Sequence, residues 1–287
     1  MFSEQSAQFQ EILIGGFVIF MMLSVGLDLT FEKIKAVFKE PRILFAALGI
    51  NYLLIPLIFI ALIQISGLEG MWATGLLFVA VAPGGPVAGV LVQNARGNLA
   101  LGVSILIVMN LFNTVLTPLG VWMVNALPNS EGGGPPFIGM VQTILYYQIL
   151  PLALAMQFRR QWEDKANWLQ PLMEQAAKWL LISVAVILVV IEWDRLALLP
   201  ITLLIIIHVA VAISLAVGWW LTPGSTSNKI AISLTAPYRS MSIVMLLLSA
   251  WVRDVDALLS AMAYSVGMLW MCLLASVIIR RRHAPQS

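Results

Sequence analysis

Apolar residues run along this chain in long stretches separated by short polar loops. Nine stretches, 9–29, 42–65, 71–94, 98–126, 137–158, 175–192, 198–221, 226–251 and 255–279, approach the roughly 20 residues a helix needs to cross a bilayer. Continuous runs such as Leu180 to Ile191 and Leu203 to Leu215 lack the in–out alternation of barrel strands, and backbone groups in lipid must find their partners within the segment, so the spans are predicted to be helices. The predicted fold class is an all-α polytopic membrane protein with nine transmembrane helices.

Two of these spans are broken midway, the third by Pro83-Gly84-Gly85-Pro86 and the eighth by Thr235-Ala236-Pro237-Tyr238-Arg239. A proline inside a helix removes a donor and clashes with the carbonyl four residues back, and a helical glycine costs about 1 kcal/mol relative to alanine. Both segments are therefore predicted to unwind. Unwound backbone at membrane depth persists only against protein or a water-filled cavity. Its free N–H groups and a half-helix starting near Pro86 attract an anion there, and its freed carbonyls ligate a cation. A lone proline such as Pro56, Pro118 or Pro151 reads as an ordinary kink, whereas matched breaks in corresponding spans point to a transport site.

Charge fixes the orientation. Lys33, Lys35, Lys39 and Arg42 follow the first span, Arg96 the third, Arg159, Arg160 and Lys165 the fifth, Lys229 adjoins the seventh, and Arg280 to Arg282 follow the ninth. The alternate loops hold Glu69, Glu131, Glu192, Asp194, Asp254 and Asp256, with Arg195 and Arg253 as their basic residues. Basic loops stay cytoplasmic, so the N-terminus is expected outside and the C-terminus inside, in the plasma (inner) membrane. The spans divide into a first repeat over 9–126, a connector helix over 137–158 after a Gly132–Pro136 loop, and a second repeat over 175–279 of opposite orientation. That is an inverted repeat within one integral membrane domain over 1–287.

Composition agrees: 60% hydrophobic and 10% charged residues, with a mean hydropathy of +0.93, lie far from a soluble domain, where charged residues make up about a quarter. The first apolar run is as long as a span and has a basic flank, so it does not resemble a cleavable signal. The net charge of +2 is spread over loops, which argues against a nucleic-acid partner. Cys272 is the single cysteine, excluding an intrachain disulfide and a multi-cysteine metal site. No Asp or Glu falls within the broken spans, and no paired acid, His–Glu or Ser–base set falls within any span, so the chain is not expected to be an enzyme. No organic cofactor or confident metal site is indicated, and nothing in the sequence speaks to an oligomeric state.

Arg239 is the one basic residue deep within a predicted span. A charge there costs about 2.5–3.5 kcal/mol on insertion scales, so it faces a cavity, a carboxylate ligand or a row of carbonyls, or else snorkels to the interface or ties the unwound backbone. His208, alone in an apolar helix, reads as a packing residue more readily than a proton carrier. The other in-span polar residues are Asn51, Gln93, Asn94, Asn110, Asn113, Thr114, Gln142, Gln148, Ser233, Thr235, Ser240 and Ser242. Those nearest the breaks are the better site candidates, and the rest suit interhelical hydrogen bonds. The expected transport residues are Pro83, Gly84, Gly85, Pro86, Gln93, Asn113, Thr235, Pro237, Arg239 and Ser240.

At these residues the chain resembles the bile acid:sodium symporter family. Gly26-Leu27-Asp28-Leu29-Thr30, Pro41-Arg42, Ile55-Pro56-Leu57, Ala82-Pro83-Gly84-Gly85 running to Ala95-Arg96-Gly97-Asn98 and Leu101, and Leu116-Thr117-Pro118-Leu119 carry the likeness in order, and Pro237-Tyr238-Arg239-Ser240 carries it in the second half. The resemblance implies two inverted repeats lacking one first helix, and two discontinuous helices that cross at their unwound centres. It implies a core domain (spans two, three, four, seven, eight and nine) that moves against a panel domain (spans one, five and six). It also implies a secondary transporter of small or amphipathic organic anions, with Na+ as the family's coupling ion. The family's cation positions fall on Asn51, Ala88, Gly89, Gly102, Leu106, Thr235 and Arg239. Only Asn51 keeps an amide, the hydroxyl, amide and carboxylate ligands are otherwise gone, and Arg239 brings a positive charge, so sodium coupling is in doubt. The alternative is a receptor, sensor or channel-like protein on the same scaffold.

Overall fold

The structure is a computed structural model that describes residues 4–29, 40–85, 88–125 and 136–282. The loop bearing Lys33, Lys35 and Lys39, the residue Pro86, and the glycine-rich loop before Pro136 lie outside the described residues.

The helices are α1 (Glu4–Asp28), α2 (Pro41–Gly49), α3 (Ile55–Ser66), α4 (Gly70–Ala80), α5 (Ala88–Asn94), α6 (Leu99–Asn125), α7 (Phe137–Ile144), α8 (Leu150–Gln161), α9 (Glu163–Ile191), α10 (Trp193–Ala197), α11 (Ile201–Leu221), α12 (Thr226–Thr235), α13 (Met241–Leu247) and α14 (Val255–Arg282). No strand occurs among the described residues, and seven helical stretches are long and apolar enough to cross a membrane. The third and eighth predicted spans are each split into two short helices, α4 with α5 and α12 with α13. The breaks fall beside the expected places: α4 ends at Ala80, ahead of Pro83, and α12 runs through Thr235. The sixth predicted span, 175–192, is the apolar part of a helix that begins at Glu163. Glu163 and Asp164 in its first turn favour a helix start there through the helix dipole.

Two of the expected proline kinks take the form of π-turns. Ile50–Leu54 joins α2 to α3 just before Pro56, and Leu145–Ile149 joins α7 to α8 just before Pro151. The proline ring excludes the carbonyl four residues earlier, and one wider turn relieves the clash without ending the helix. A third π-turn, Leu248–Val252, extends α13 and stops at Arg253, whose left-handed backbone (φ 54°) donates its N–H to Leu248 O.

The stretch Ala95-Arg96-Gly97-Asn98 is a helix-to-helix corner. Arg96 is left-handed (φ 59°), its N–H bonds Gln93 O at 3.1 Å and the Gly97 N–H bonds Val92 O at 2.9 Å, the paired bonds of a Schellman ending. Asn98 then caps α6 by accepting from Leu101 N–H at 3.1 Å. Its own N–H reaches Ser227 O at 3.0 Å and its amide reaches Asn228 Oδ1 at 2.9 Å, tying the start of α6 to the start of α12.

Helix α1 packs on α8 and α9, whereas α4 packs on α14 and α11 packs on α12 and α14. Lipid offers no hydrophobic drive between helices, so small residues at close crossings matter. A Cβ on Gly75 would stand 2.3 Å from Ala257 O on α14, a backbone atom unable to give way. Gly75→Val is therefore expected to lower the stability of the purified protein by about 1–3 kcal/mol, read as a lower melting temperature; an unchanged melting curve would mean that α4 and α14 are not held this close.

Candidate functional site

The two unwound segments satisfy each other. Ala82–Gly85 and Pro237–Ser240 run antiparallel, paired as Pro83 against Arg239. The Gly84 N–H donates to Tyr238 O at 3.0 Å and the Ser240 N–H to Ala82 O at 2.8 Å. Orphan backbone groups cannot be left in hydrocarbon, and here each break supplies the partners the other lacks. The N–H groups expected to attract an anion are thus engaged at Gly84 and Ser240. Gly84 adopts φ 104°, a conformation that favours glycine.

Helix α6 holds the first break from below. Asn113 donates its amide to Pro83 O at 2.6 Å, and Thr117 donates its hydroxyl to Val81 O and to Asn113 Oδ1, both at 3.1 Å. The Tyr52 hydroxyl, in the first π-turn, reaches Met109 O at 2.7 Å and Asn113 Oδ1 at 2.6 Å, two acceptors that share its proton. On the second break, Tyr264 of α14 donates to Pro237 O at 2.6 Å.

Arg239 sits at the centre, 1% exposed. Its Nη1 donates to Asn51 O at 3.3 Å and Ala80 O at 3.4 Å, and its Nη2 to Ala236 O at 3.0 Å. Among the described residues the neighbours of its charge are the hydroxyls of Tyr264 and Tyr52, with no carboxylate beside it. The side chain does not snorkel: it fills a nook bounded by carbonyls from three separate elements, the oxygen-lined environment that suits a cation. Asn51 donates its amide to Ala47 O at 2.9 Å, while its Oδ1 is buried without a partner, as is Arg239 Nε.

A cavity of about 360 Å³ opens between α1 and α9 on one side and α5 and α6 on the other. Gly89 and Gln93 of α5 and Leu106 of α6 line it, facing Met21, Val25 and Asp28 of α1. Gln170 of α9 bridges its far wall, donating to Ser24 Oγ at 3.1 Å and Glu174 Oε2 at 3.0 Å. Asn110 lies on the lining, and its Oδ1 would be 3.6 Å from a Cβ built on Gly84. The cavity therefore reaches the crossing.

Most of the described residues expected from the sequence fall into these two places. Pro83, Gly84, Gly85, Pro237, Arg239, Ser240, Asn113 and Asn51 meet at the crossing, and Gln93, Gly89 and Leu106 line the cavity. Three stand apart. Thr235 turns its hydroxyl to Ile232 O at 3.2 Å, within its own helix. Gly102 packs beside Val92 and Ala231, and Ala88 is fully buried with its N–H on Gly85 O. Sequence reasoning passed over Tyr52, Thr117 and Tyr264 as binding elements of the crossing. For Tyr52 a signal exists: it lies four residues before Pro56, where the helix must yield a carbonyl.

Residues 16–199 match the model of the Sodium Bile acid symporter family. The chain belongs to that family. Among its relatives, the "Uncharacterized sodium-dependent transporter YocS" of Bacillus subtilis is 30% identical over 143 residues, 49% of this chain and 44% of that protein. The "Probable sodium/metabolite cotransporter BASS1, chloroplastic" of Arabidopsis thaliana is 24% identical over 156 residues, 54% of this chain and 38% of that protein. The "Probable sodium/metabolite cotransporter BASS2, chloroplastic" of Oryza sativa is 34% identical over 100 residues, 35% of this chain and 24% of that protein. The chain thus matches less than half the length of these curated relatives. Within this sodium bile acid symporter family member, the match runs from Gly16 within α1 through α10, including the first break and the whole cavity lining, and stops before the break that carries Arg239.

Proposed function

We propose that this integral membrane protein is a secondary carrier that moves a small or amphipathic organic anion by alternating access. The observation that carries the reading is Arg239, a buried cation held by three backbone carbonyls at the crossing of two broken helices. A fixed positive charge at membrane depth, with no carboxylate against it among the described residues, raises the local potential for an anion. The cavity between α1, α9, α5 and α6 supplies the path to it, and its lining is mostly apolar, as an amphipathic substrate requires. In this reading α1, the π-turned helix α7–α8, and α9 rock as a panel against the remaining helices; α1 packs on α8 and α9. The basic loops lie in the cytoplasm, with the N-terminus outside, in a plasma (inner) membrane.

The relatives carry names that speak of sodium, and sodium is the ion to test. Sodium prefers several oxygen ligands with formal negative charge among them, whereas here the carbonyls of Asn51, Ala80 and Ala236 already hold a guanidinium. A second cation about 4 Å away at an effective dielectric near 20 would be repelled by about 4 kcal/mol. Arg239 therefore takes the part of a coupling ion that never leaves, and transport is not tied to sodium.

Uptake of labelled organic anions, from small carboxylates to bile acids, into proteoliposomes with a sodium or a choline gradient tests both halves. Uptake of at least one anion is expected, at similar rates in the two gradients. Strict sodium dependence would overturn the role of Arg239. Binding with no flux for any anion would favour a receptor on the same scaffold.

A further inference from the structure

The starts of α2 and α12 come together around a second cavity, of about 380 Å³, far in the chain from either break. Glu40, Arg42 and Ile43 line it on one side, Gly224 and Asn228 on the other. Gly224 joins the two walls: a Cβ there would stand 3.8 Å from Ile43 Cδ1 and 3.3 Å from Asn228 Nδ2. Asn228 is 8% exposed, and its neighbours orient its amide. Asn98 accepts from Leu101 N–H through its Oδ1, so its Nδ2 is the atom that faces Asn228 and donates to Asn228 Oδ1 at 2.9 Å. Asn228 Nδ2 is thereby turned to the cavity, with no acceptor among the described residues. Glu40 and Arg42, exposed on either side of Pro41, form no ion pair with each other or with any other described residue.

These groups suit a ligand that carries both signs. Two helix starts, a guanidinium and an unpaired amide donor favour an anion with several oxygens. The Glu40 carboxylate on the same rim disfavours a bare anion and attracts an ammonium group. Aromatic residues set the depth: Trp220, 76% exposed near the end of α11, precedes Gly224 by four residues, and Phe45, 71% exposed on α2, follows Arg42 by three. An exposed indole at the end of a membrane-crossing helix sits at the level of the lipid headgroups. We propose that this cavity holds the phosphoethanolamine headgroup of a membrane phospholipid. The phosphate rests on Arg42, Asn228 Nδ2 and the two helix starts, the ammonium on Glu40, and the acyl chains run down beside Phe45 and Trp220.

Native mass spectrometry of the purified full chain tests the site, with titrations of phosphatidylethanolamine, phosphatidylcholine, phosphatidylglycerol and soluble O-phosphoethanolamine. One phosphatidylethanolamine is expected to bind about tenfold or more tighter than any of the other three. Phosphatidylcholine has no ammonium N–H to give Glu40, phosphatidylglycerol has no ammonium, and the soluble ester has no acyl chains. Asn228→Asp keeps an oxygen for Asn98 Nδ2 but puts a carboxylate where the donor was. That variant and Arg42→Gln should each weaken phosphatidylethanolamine about tenfold or more, and Glu40→Gln should bring it down to the level of phosphatidylcholine. Arg42 is exposed, so Arg42→Gln gives the answer alone should Asn228→Asp not fold. The site is overturned if the three lipids bind alike, if either folded variant, Arg42→Gln or Asn228→Asp, binds phosphatidylethanolamine like the parent, or if Glu40→Gln keeps the preference over phosphatidylcholine. Soluble O-phosphoethanolamine binding as tightly as the lipid would overturn the lipid as occupant in favour of a free phosphate ester.

Discussion

Arg239→Gln should abolish most organic-anion uptake while leaving a folded protein. Glutamine retains an amide that can donate to the carbonyl of Asn51 or Ala236, so the crossing keeps part of its tie. What it loses is the charge. For an anion resting about 7 Å from the guanidinium at an effective dielectric near 20, the lost attraction is about 2–3 kcal/mol, or a fall in affinity of about fiftyfold. Removing a buried ion that has no counter-ion among the described residues also removes a desolvation penalty, so the melting temperature should hold or rise. Arg239→Lys keeps the charge with a different donor geometry and should retain measurable uptake. Uptake by Arg239→Gln equal to that of the parent would show that the arginine is only a tie between breaks.

The second large effect is structural. Gly85→Val should prevent the two broken spans from meeting. A Cβ on Gly85 would stand 2.8 Å from Arg239 O and 3.1 Å from Tyr238 Cδ1. The first of these is backbone and cannot turn aside. Forcing the segments apart strains or breaks the bonds from Gly84 N–H to Tyr238 O and from Ser240 N–H to Ala82 O, each left without water to replace it. A loss of about 3 kcal/mol or more follows from overpacking plus unpaired buried groups. Gly49→Ala is the control, because a Cβ there meets nothing within 4 Å and the position is helical. It should be neutral or stabilising by about 0.5–1 kcal/mol. Purification yield and melting temperature of the pair decide the matter: similar behaviour of the two variants would mean that the breaks do not touch.

Much of this was legible in the sequence where the physics is local. Pro83 with its paired glycines, and Pro237 in the second half, disfavour helix through their own backbone chemistry, so both breaks lie within a few residues of their expected places. Hydropathy reported the lipid-crossing part of α9 and missed its first twelve residues, because a helix that continues past the hydrocarbon owes nothing to apolarity. The pairing of Pro83 with Arg239 was beyond reach, since it joins residues from opposite halves and depends on every helix between. For the same reason the sequence reads the broken backbone as open to ligands, whereas in the fold the carbonyls of Pro83, Val81 and Pro237 are taken by Asn113, Thr117 and Tyr264. Asn113 stands out in the sequence as a polar residue in an apolar run. Only the fold shows that its partner is the Pro83 carbonyl.

The mutual pairing of the breaks also sets an order of events during synthesis. Arg239 is made 159 residues after Ala80, the carbonyl it finally binds. At about 5–20 residues per second, roughly ten to thirty seconds separate the two. For that interval the Gly84 N–H and the Ala82 carbonyl lack the partners that Tyr238 and Ser240 give them in the finished fold, while Asn113 and Thr117 are already made. The first break must wait as a strained continuous helix or beside water, and the nascent chain is most open to quality-control proteases until the second half arrives.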